Sequence, residues 1–171
     1  YLDATKIEDV DLIVELIGGA EGPAKKLVFE ALKNGKVKNL KNLDEIKQEV
    51  KFGENTRFDF LIFKKKKKSF IEVKNVTLSR SPGIAEFPDA ITSRGLKHIK
   101  ELIKAHKKKY KIYLLYLIQR DDCKQFMLAK DIDPEYYDFL VKAVKKNLNI
   151  LCYDCKFSSK GIRLNREIKF K

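Results

Sequence analysis

The chain has 171 residues and a formal net charge of +13, which suits one domain with a sizeable core and points to polyanionic partners. Apolar residues make up 44% and charged residues 36%, an ordinary globular balance, and no apolar run approaches the roughly 18 residues that cross a bilayer, so a membrane protein is not expected. The three cysteines and the lack of a signal-peptide pattern suit a reducing compartment, the cytoplasm. The sequence opens at Tyr1 rather than Met, as a fragment would.

Lys6–Ile17 is rich in Val, Ile and Leu and reads as a strand, followed by a loop with Gly18, Gly19 and Gly22. Pro23 opens a helix that ends near Asn34 and Gly35, following the preference for proline at the first helical position and glycine past the end. No complete Walker or dinucleotide fingerprint spans this strand, loop and helix, which reads as a plain connection. Glu45–Phe52 is a short strand; Thr56–Phe63 and Phe70–Val76 form a hairpin around the lysine run Lys64–Lys68. Thr77–Pro88 reads as a loop. A helix is predicted from about Asp89 to Lys107 with Ile91, Ile99, Leu102 and Ile103 on one face.

Tyr110–Gln119 is a long apolar run, hence a buried strand, and Lys124–Ala129 a shorter one. Asp133 and Pro134 start a helix whose apolar stripe is Tyr137, Leu140, Val141 and Val144. Asn149–Phe157 and Gly161–Phe170 complete the strands. Cys152 and Cys155 form one CxxC without a second pair, and residues three apart on a strand face opposite ways, so they read as packing cysteines rather than zinc ligands. The alternation of types predicts an α/β domain with a mixed sheet.

The chemistry concentrates in the hairpin. If it is symmetric about the middle of its connection, Asp59 faces Lys74 and Leu61 faces Glu72. Asp59, Glu72 and Lys74 then share one face, and Phe60, Ile62, Ile71 and Val73 cover the other. A one-residue slip would invert one strand and destroy the grouping. Two carboxylates side by side repel unless a hard cation joins them, and Mg²⁺ or Mn²⁺ is the natural occupant. Such an ion polarises a phosphoryl oxygen, and Lys74 is placed to orient an attacking water or stabilise developing charge. A half-exposed hairpin with ordinary Asp59–Lys74 and Glu72–lysine ion pairs has the same spacing.

Three stretches, Thr56–Leu61 (TRFDFL), Ile71–Leu78 (IEVKNVTL) and Phe87–His98 (FPDAITSRGLKH), resemble the sugar fermentation stimulation protein A family. Its C-terminal domain is similar to the PD-(D/E)XK nucleases, and its members are described as DNA-binding or regulatory. The resemblance implies a restriction-endonuclease-like mixed sheet flanked by helices over residues 21–171. Asp59 matches the motif aspartate, Glu72 and Lys74 match the Glu-x-Lys, and the Val73 carbonyl would be a metal ligand. Glu30, on the first helix, matches an acidic residue that completes the site in related folds; a solvated helix glutamate is its plain alternative. The resemblance also implies an N-terminal domain like an OB-fold, of which residues 1–20 would be a remnant.

On the helix from Asp89, positions three and four apart place Arg94, Lys97 and His98 together, a cluster suited to backbone phosphates. The alternatives are a solvated basic face and, for His98, an ordinary surface histidine. Gly95 inside this helix costs about 1 kcal/mol relative to Ala, which a close approach by another backbone or by a ligand would explain. Lys64–Lys68 reads first as a solvated hairpin tip. The sequence therefore predicts Mg²⁺- or Mn²⁺-dependent hydrolysis of a nucleic-acid phosphodiester, DNA in the first instance. The competing readings are a non-catalytic DNA-binding regulator and a fragment whose basic face docks on a missing domain.

Overall fold

A computed structural model describes residues 23–159 and 161–171. The predicted strand Lys6–Ile17, its glycine loop and the proposed N-terminal remnant lie outside the described residues. The elements are α1 (Pro23–Lys33), β1 (Glu45–Phe52), β2 (Thr56–Lys64), β3 (Lys67–Val76), β4 (Leu78–Ser81), β5 (Ile84–Phe87), α2 (Ser93–Lys107), β6 (Lys111–Ile118), β7 (Gln125–Leu128), α3 (Pro134–Val144), β8 (Leu148–Ser158), β9 (Gly161–Glu167) and β10 (Lys169–Phe170). Six strands form the main sheet in the order β1-β2-β3-β6-β8-β9; four short strands form a second sheet, β10-β7-β5-β4. The main sheet is mixed: β1, β2 and β3 run antiparallel, β3, β6 and β8 parallel, and β9 returns antiparallel to β8. No helix among the described residues is long and apolar enough to cross a membrane.

Both faces of the main sheet are buried. On one side, α2, α3 and the second sheet cover Phe58, Leu61, Phe70, Ile112, Leu114 and Tyr116; on the other, α1 covers Phe60, Ile62, Ile71, Val73, Tyr113 and Leu115. Central parallel strands covered on two faces read as continuous apolar runs, and β6, KIYLLYLI, is such a run. The hairpin face opposite Phe60 and Ile62 is therefore a second core, not the polar surface that the alternation predicted. Cys152 and Cys155 fall in the two different cores, and all three cysteines are free and buried.

The hairpin register differs from the symmetric expectation by two residues. The pairs are Phe60–Ile71, Leu61–Phe70, Ile62–Ser69, Phe63–Lys68 and Lys64–Lys67. Three of the five lysines thus belong to strands, and Lys65 and Lys66 alone make the turn with φ of 47° and 65°, the left-handed pair that matches strand twist in a two-residue hairpin. A shift of two preserves the faces, so Glu72 and Lys74 keep their common side.

Other boundaries move for identifiable reasons. The predicted loop Thr77–Pro88 contains the β4–β5 hairpin, pinned by Arg80: its backbone N–H and Nε donate to Glu86 Oε2 (3.1 and 3.0 Å), its Nη2 to Glu86 Oε1 (2.7 Å), and it also pairs with Asp131. Helix α2 starts at Ser93, capped by Thr92, whose hydroxyl accepts the Gly95 N–H at 3.1 Å; Ile91 lies outside the helix and is 80% exposed. The inward stripe of α3 is Tyr136, Leu140 and Ala143, because the Tyr136 hydroxyl meets that of Tyr116 at 2.7 Å in the core, and Val144 faces solvent. The last predicted strand breaks at buried Ile168, whose N–H bonds to the Cys152 carbonyl, and its end joins the second sheet as β10.

Gly95 is explained by side chains rather than by a backbone or a ligand. A Cβ there would lie 2.7 Å from the Thr92 hydroxyl oxygen and 3.2 Å from a Tyr136 ring carbon. Gly95→Ala is expected to lower stability by about 1–3 kcal/mol through overpacking, against the gain of about 1 kcal/mol that helix propensity alone gives; urea denaturation reads the sign. The Arg80 pairs predict an acid dependence. Hydrogen bonds from Arg80 hold Glu86 below the usual carboxylate range and bring Asp131 to about 2. Their contribution is complete above the unfolded carboxylate value of about 4 and drains as pH falls toward the folded values. Urea midpoints of wild type and Arg80→Met should differ at pH 7 and converge toward pH 2.

Candidate functional site

Asp59, Glu72, Val73, Lys74 and His98 converge where β2 and β3 cease to pair. The backbone ladder between them ends at Phe60–Ile71, and beyond it the Val73 N–H turns to the Asp59 side chain, donating to Oδ2 at 2.7 Å. The parallel ladder of β3 with β6 runs on to Val76–Ile118, so Glu72 and Lys74 are held rigidly from that side. The Val73 side chain lies in the α1-side core.

Glu72 is 2% exposed and Asp59 5% exposed. Glu72 Oε1 accepts from Lys74 Nζ at 3.0 Å and from the His98 ring, and Lys74 Nζ lies 3.3 Å from His98 Nδ1. Glu72 Oε2 is buried and has no hydrogen-bond partner among the described residues. Burial works to raise the Glu72 carboxyl, but the Lys74 charge and the His98 bond override it and hold Glu72 below the usual range. Burial and the neighbouring Glu72 charge push Asp59 up; the bonds from Lys25 and Val73 pull it back. Burial lowers Lys25, but its bonds to Asp59 and Glu49 raise it above the ordinary lysine value. These two directions oppose one another across one ion pair, and the 2.7 Å contact of Lys25 Nζ with Asp59 Oδ1 favours the charged form of both.

The remaining predicted residues lie apart from this cluster. Glu30 is exposed on α1, and its carboxylate bonds to neither Asp59 nor Glu72; among the described residues no group of three or more His, Cys, Asp and Glu side chains could hold a metal ion. The α1 side chain that does reach the site is Lys25, of opposite charge. Arg94 and Lys97 are exposed, with Lys97 Nζ bonded to the Asn55 carbonyl at 2.9 Å, whereas His98 is buried. His98 is therefore not on their solvent face; it shares the inward stripe of α2 with Leu102 and Ala105, a spacing visible in the sequence. The Lys65–Lys66 turn lies at the far end of the hairpin from Asp59 and Glu72.

Sequence reasoning missed Lys25 and Glu49. Glu49 lies between Gln48 and Val50, which pair with Phe60 and Phe58, and its own φ is 52°. A left-handed conformation on a residue with a Cβ costs on the order of 1–2 kcal/mol. Here it delivers the Glu49 carboxylate to Lys25 Nζ at 2.6 Å, which in turn touches Asp59. No residue pattern in β1 announces that kink.

Two oxygens of this cluster suit a hard cation. Glu72 Oε2 is buried without a partner among the described residues, and Asp59 Oδ1 meets a positive charge; carboxylate oxygens are the donors Mg²⁺ and Mn²⁺ prefer.

Comparison with known proteins agrees with the resemblance of the sequence motifs. The family model described as the sugar fermentation stimulation protein RE domain matches residues 22–161. A sugar fermentation stimulation protein homolog of Pelagibacter ubique is 49% identical over 163 residues, which cover 95% of this chain and 70% of the relative. The homolog from Nitrosococcus oceani is 38% identical over 168 residues, 96% of this chain and 72% of that one. The solved structure of Pyrococcus furiosus SfsA in complex with Ca²⁺ superimposes with a TM-score of 0.78 at 26% identity, over 86% of this chain and 64% of that one. By the extent of the family match and the identity to these homologs, the chain belongs to the sugar fermentation stimulation protein family.

Proposed function

We propose that the domain is a divalent-metal-dependent nuclease that binds DNA and hydrolyses its phosphodiester bonds. The observation that carries this reading is the shared site of Asp59, Glu72 and Lys74, with one buried Glu72 oxygen left without a partner among the described residues, in a basic protein. A buried carboxylate oxygen without a donor is costly, and a cation removes that cost. Asp59 and Glu72 would hold Mg²⁺ or Mn²⁺, with the Val73 carbonyl as a backbone ligand, and the ion would supply Lewis-acid polarisation of a phosphoryl oxygen. The Ca²⁺ in the Pyrococcus relative supports a cation site in this fold.

Lys74 then does the work of a positioned cation beside the reacting phosphate, donating to an attacking water or to the developing negative charge. His98 fixes the Glu72 carboxylate by a bond on the oxygen opposite the free one. Arg94 and Lys97, exposed on α2, contact backbone phosphates, which position a nucleic acid without reading its sequence. Three free cysteines, all buried, suit a reducing, cytoplasmic setting.

Titration calorimetry with Mn²⁺, followed by cleavage assays on mixed DNA and RNA, tests this. The Asp59→Asn, Glu72→Gln double variant is expected to lose both metal binding and cleavage. Lys74→Met should keep metal binding and lose roughly 10²–10³-fold in cleavage rate. Metal binding by the wild type without cleavage of any nucleic acid, together with salt-sensitive DNA binding, would replace the nuclease by a non-catalytic DNA-binding regulator. Arg94→Ala and Lys97→Ala should each weaken DNA binding across sequences and reduce the slope of log affinity against log salt by about one.

A further inference from the structure

We infer that Lys25 is a resident counter-ion of the site, occupying Asp59 until a divalent cation displaces it onto Glu49. This rests on the metal site proposed above and adds a competitor for it. Each carboxylate in the cluster has one oxygen bonded within it: Asp59 Oδ2 accepts from the Val73 N–H, and Glu72 Oε1 accepts from Lys74 and His98. The other two oxygens are Glu72 Oε2 and Asp59 Oδ1. The first has no partner among the described residues; the second is held by Lys25 Nζ at 2.7 Å. An ammonium and a divalent ion on one buried carboxylate repel strongly, so binding of the ion drives Lys25 off Asp59.

Glu49 gives Lys25 somewhere to go. Its carboxylate already contacts Nζ at 2.6 Å, and its left-handed backbone is what brings it there. Lys25 is only about one-fifth exposed and sits on α1, which is anchored through Val28, Ala31 and Leu32 in the core. The ammonium therefore gives up Asp59 and keeps Glu49 by a short movement of its flexible stem, while α1 stays in place. In the absence of metal it also neutralises Asp59 beside the Glu72 charge, so the site is held together before the ion arrives.

The test is Mn²⁺ calorimetry and thermal unfolding on the full chain, with and without EDTA, for wild type, Lys25→Met and Lys26→Met. Lys26 is exposed on the same helix and serves as a control for general charge. Lys25→Met is expected to bind Mn²⁺ roughly tenfold tighter than wild type, the scale of removing one contacting charge, while Lys26→Met stays within about twofold. In EDTA the Lys25→Met protein should melt below wild type, and saturating Mn²⁺ should restore it. A second readout uses the wild type alone: the Lys25 ammonium NMR signal should move on titration with Mg²⁺, in step with binding. Mn²⁺ binding by wild type that Lys25→Met does not tighten, or a Lys25 signal unmoved at saturating Mg²⁺, overturns the inference and leaves the metal site standing. Failure of both proteins to bind Mn²⁺ overturns the metal site and the inference together.

Discussion

A carboxylate at the centre of a folded domain must be met by cations and donors, or it takes up a proton. Glu72 sets that requirement here, and much of the structure around it answers the requirement. The Lys74 ammonium comes from the next residue on the same face of β3, and the His98 ring is brought in by α2. The helix that brings it starts at the Thr92 cap and lies close against α3, where a side chain at position 95 would crowd Thr92 and Tyr136. The β4–β5 hairpin immediately before α2 is held by Arg80. Removing one partner of a buried ion pair is costlier than the pair is worth, so these elements are mutually dependent rather than separately useful.

Asp59 is held differently. It sits where β2 and β3 part, so a backbone N–H that would belong to a sheet ladder is available to its carboxylate. Its other oxygen faces Lys25 and, beyond it, Glu49. The two carboxylates thus have unequal surroundings. Lys74 and His98 settle Glu72 as an anion, while burial and the charge of Glu72 leave Asp59 the more easily protonated of the pair. Neighbouring carboxylates separated in this way can share one cation while keeping one firm ligand.

The fold class and the core of the site were legible in the sequence because they rest on short-range regularities. Alternation in TRFDFLIF and FIEVKNV placed Glu72 and Lys74 on one face, and a register error of two residues left that face unchanged. The long run KIYLLYLI marked the buried central strand. What escaped depends on tertiary geometry. Asp59 is placed with Glu72 and Lys74 by the same alternation, but that its neighbours Phe58 and Phe60 enter different cores, opposite the left-handed Glu49, is not legible in it. Lys25 and Glu49 come from elements that no motif links to the hairpin. Glu30 fits a family pattern but lies on the outer side of its helix. The inward turn of His98 is readable from its spacing to Leu102 and Ala105, although Arg94 and Lys97, nearby on the same helix, give the same segment a basic face.

The left-handed backbone at Glu49 also falls on a strand with an open edge. Among the described strands β1 lies at one end of the main sheet, where its outer row of amide and carbonyl groups is a template for a strand from another molecule. Glu49, in the middle of that row, is left-handed rather than extended, while pairing to β2 continues in register on both sides of it. Exposed Glu45, Lys47 and Lys51 on either side oppose an incoming apolar strand. The same residue that carries a carboxylate inward is thus also the one break in extended backbone along this strand, and a residue content in extended backbone would remove both.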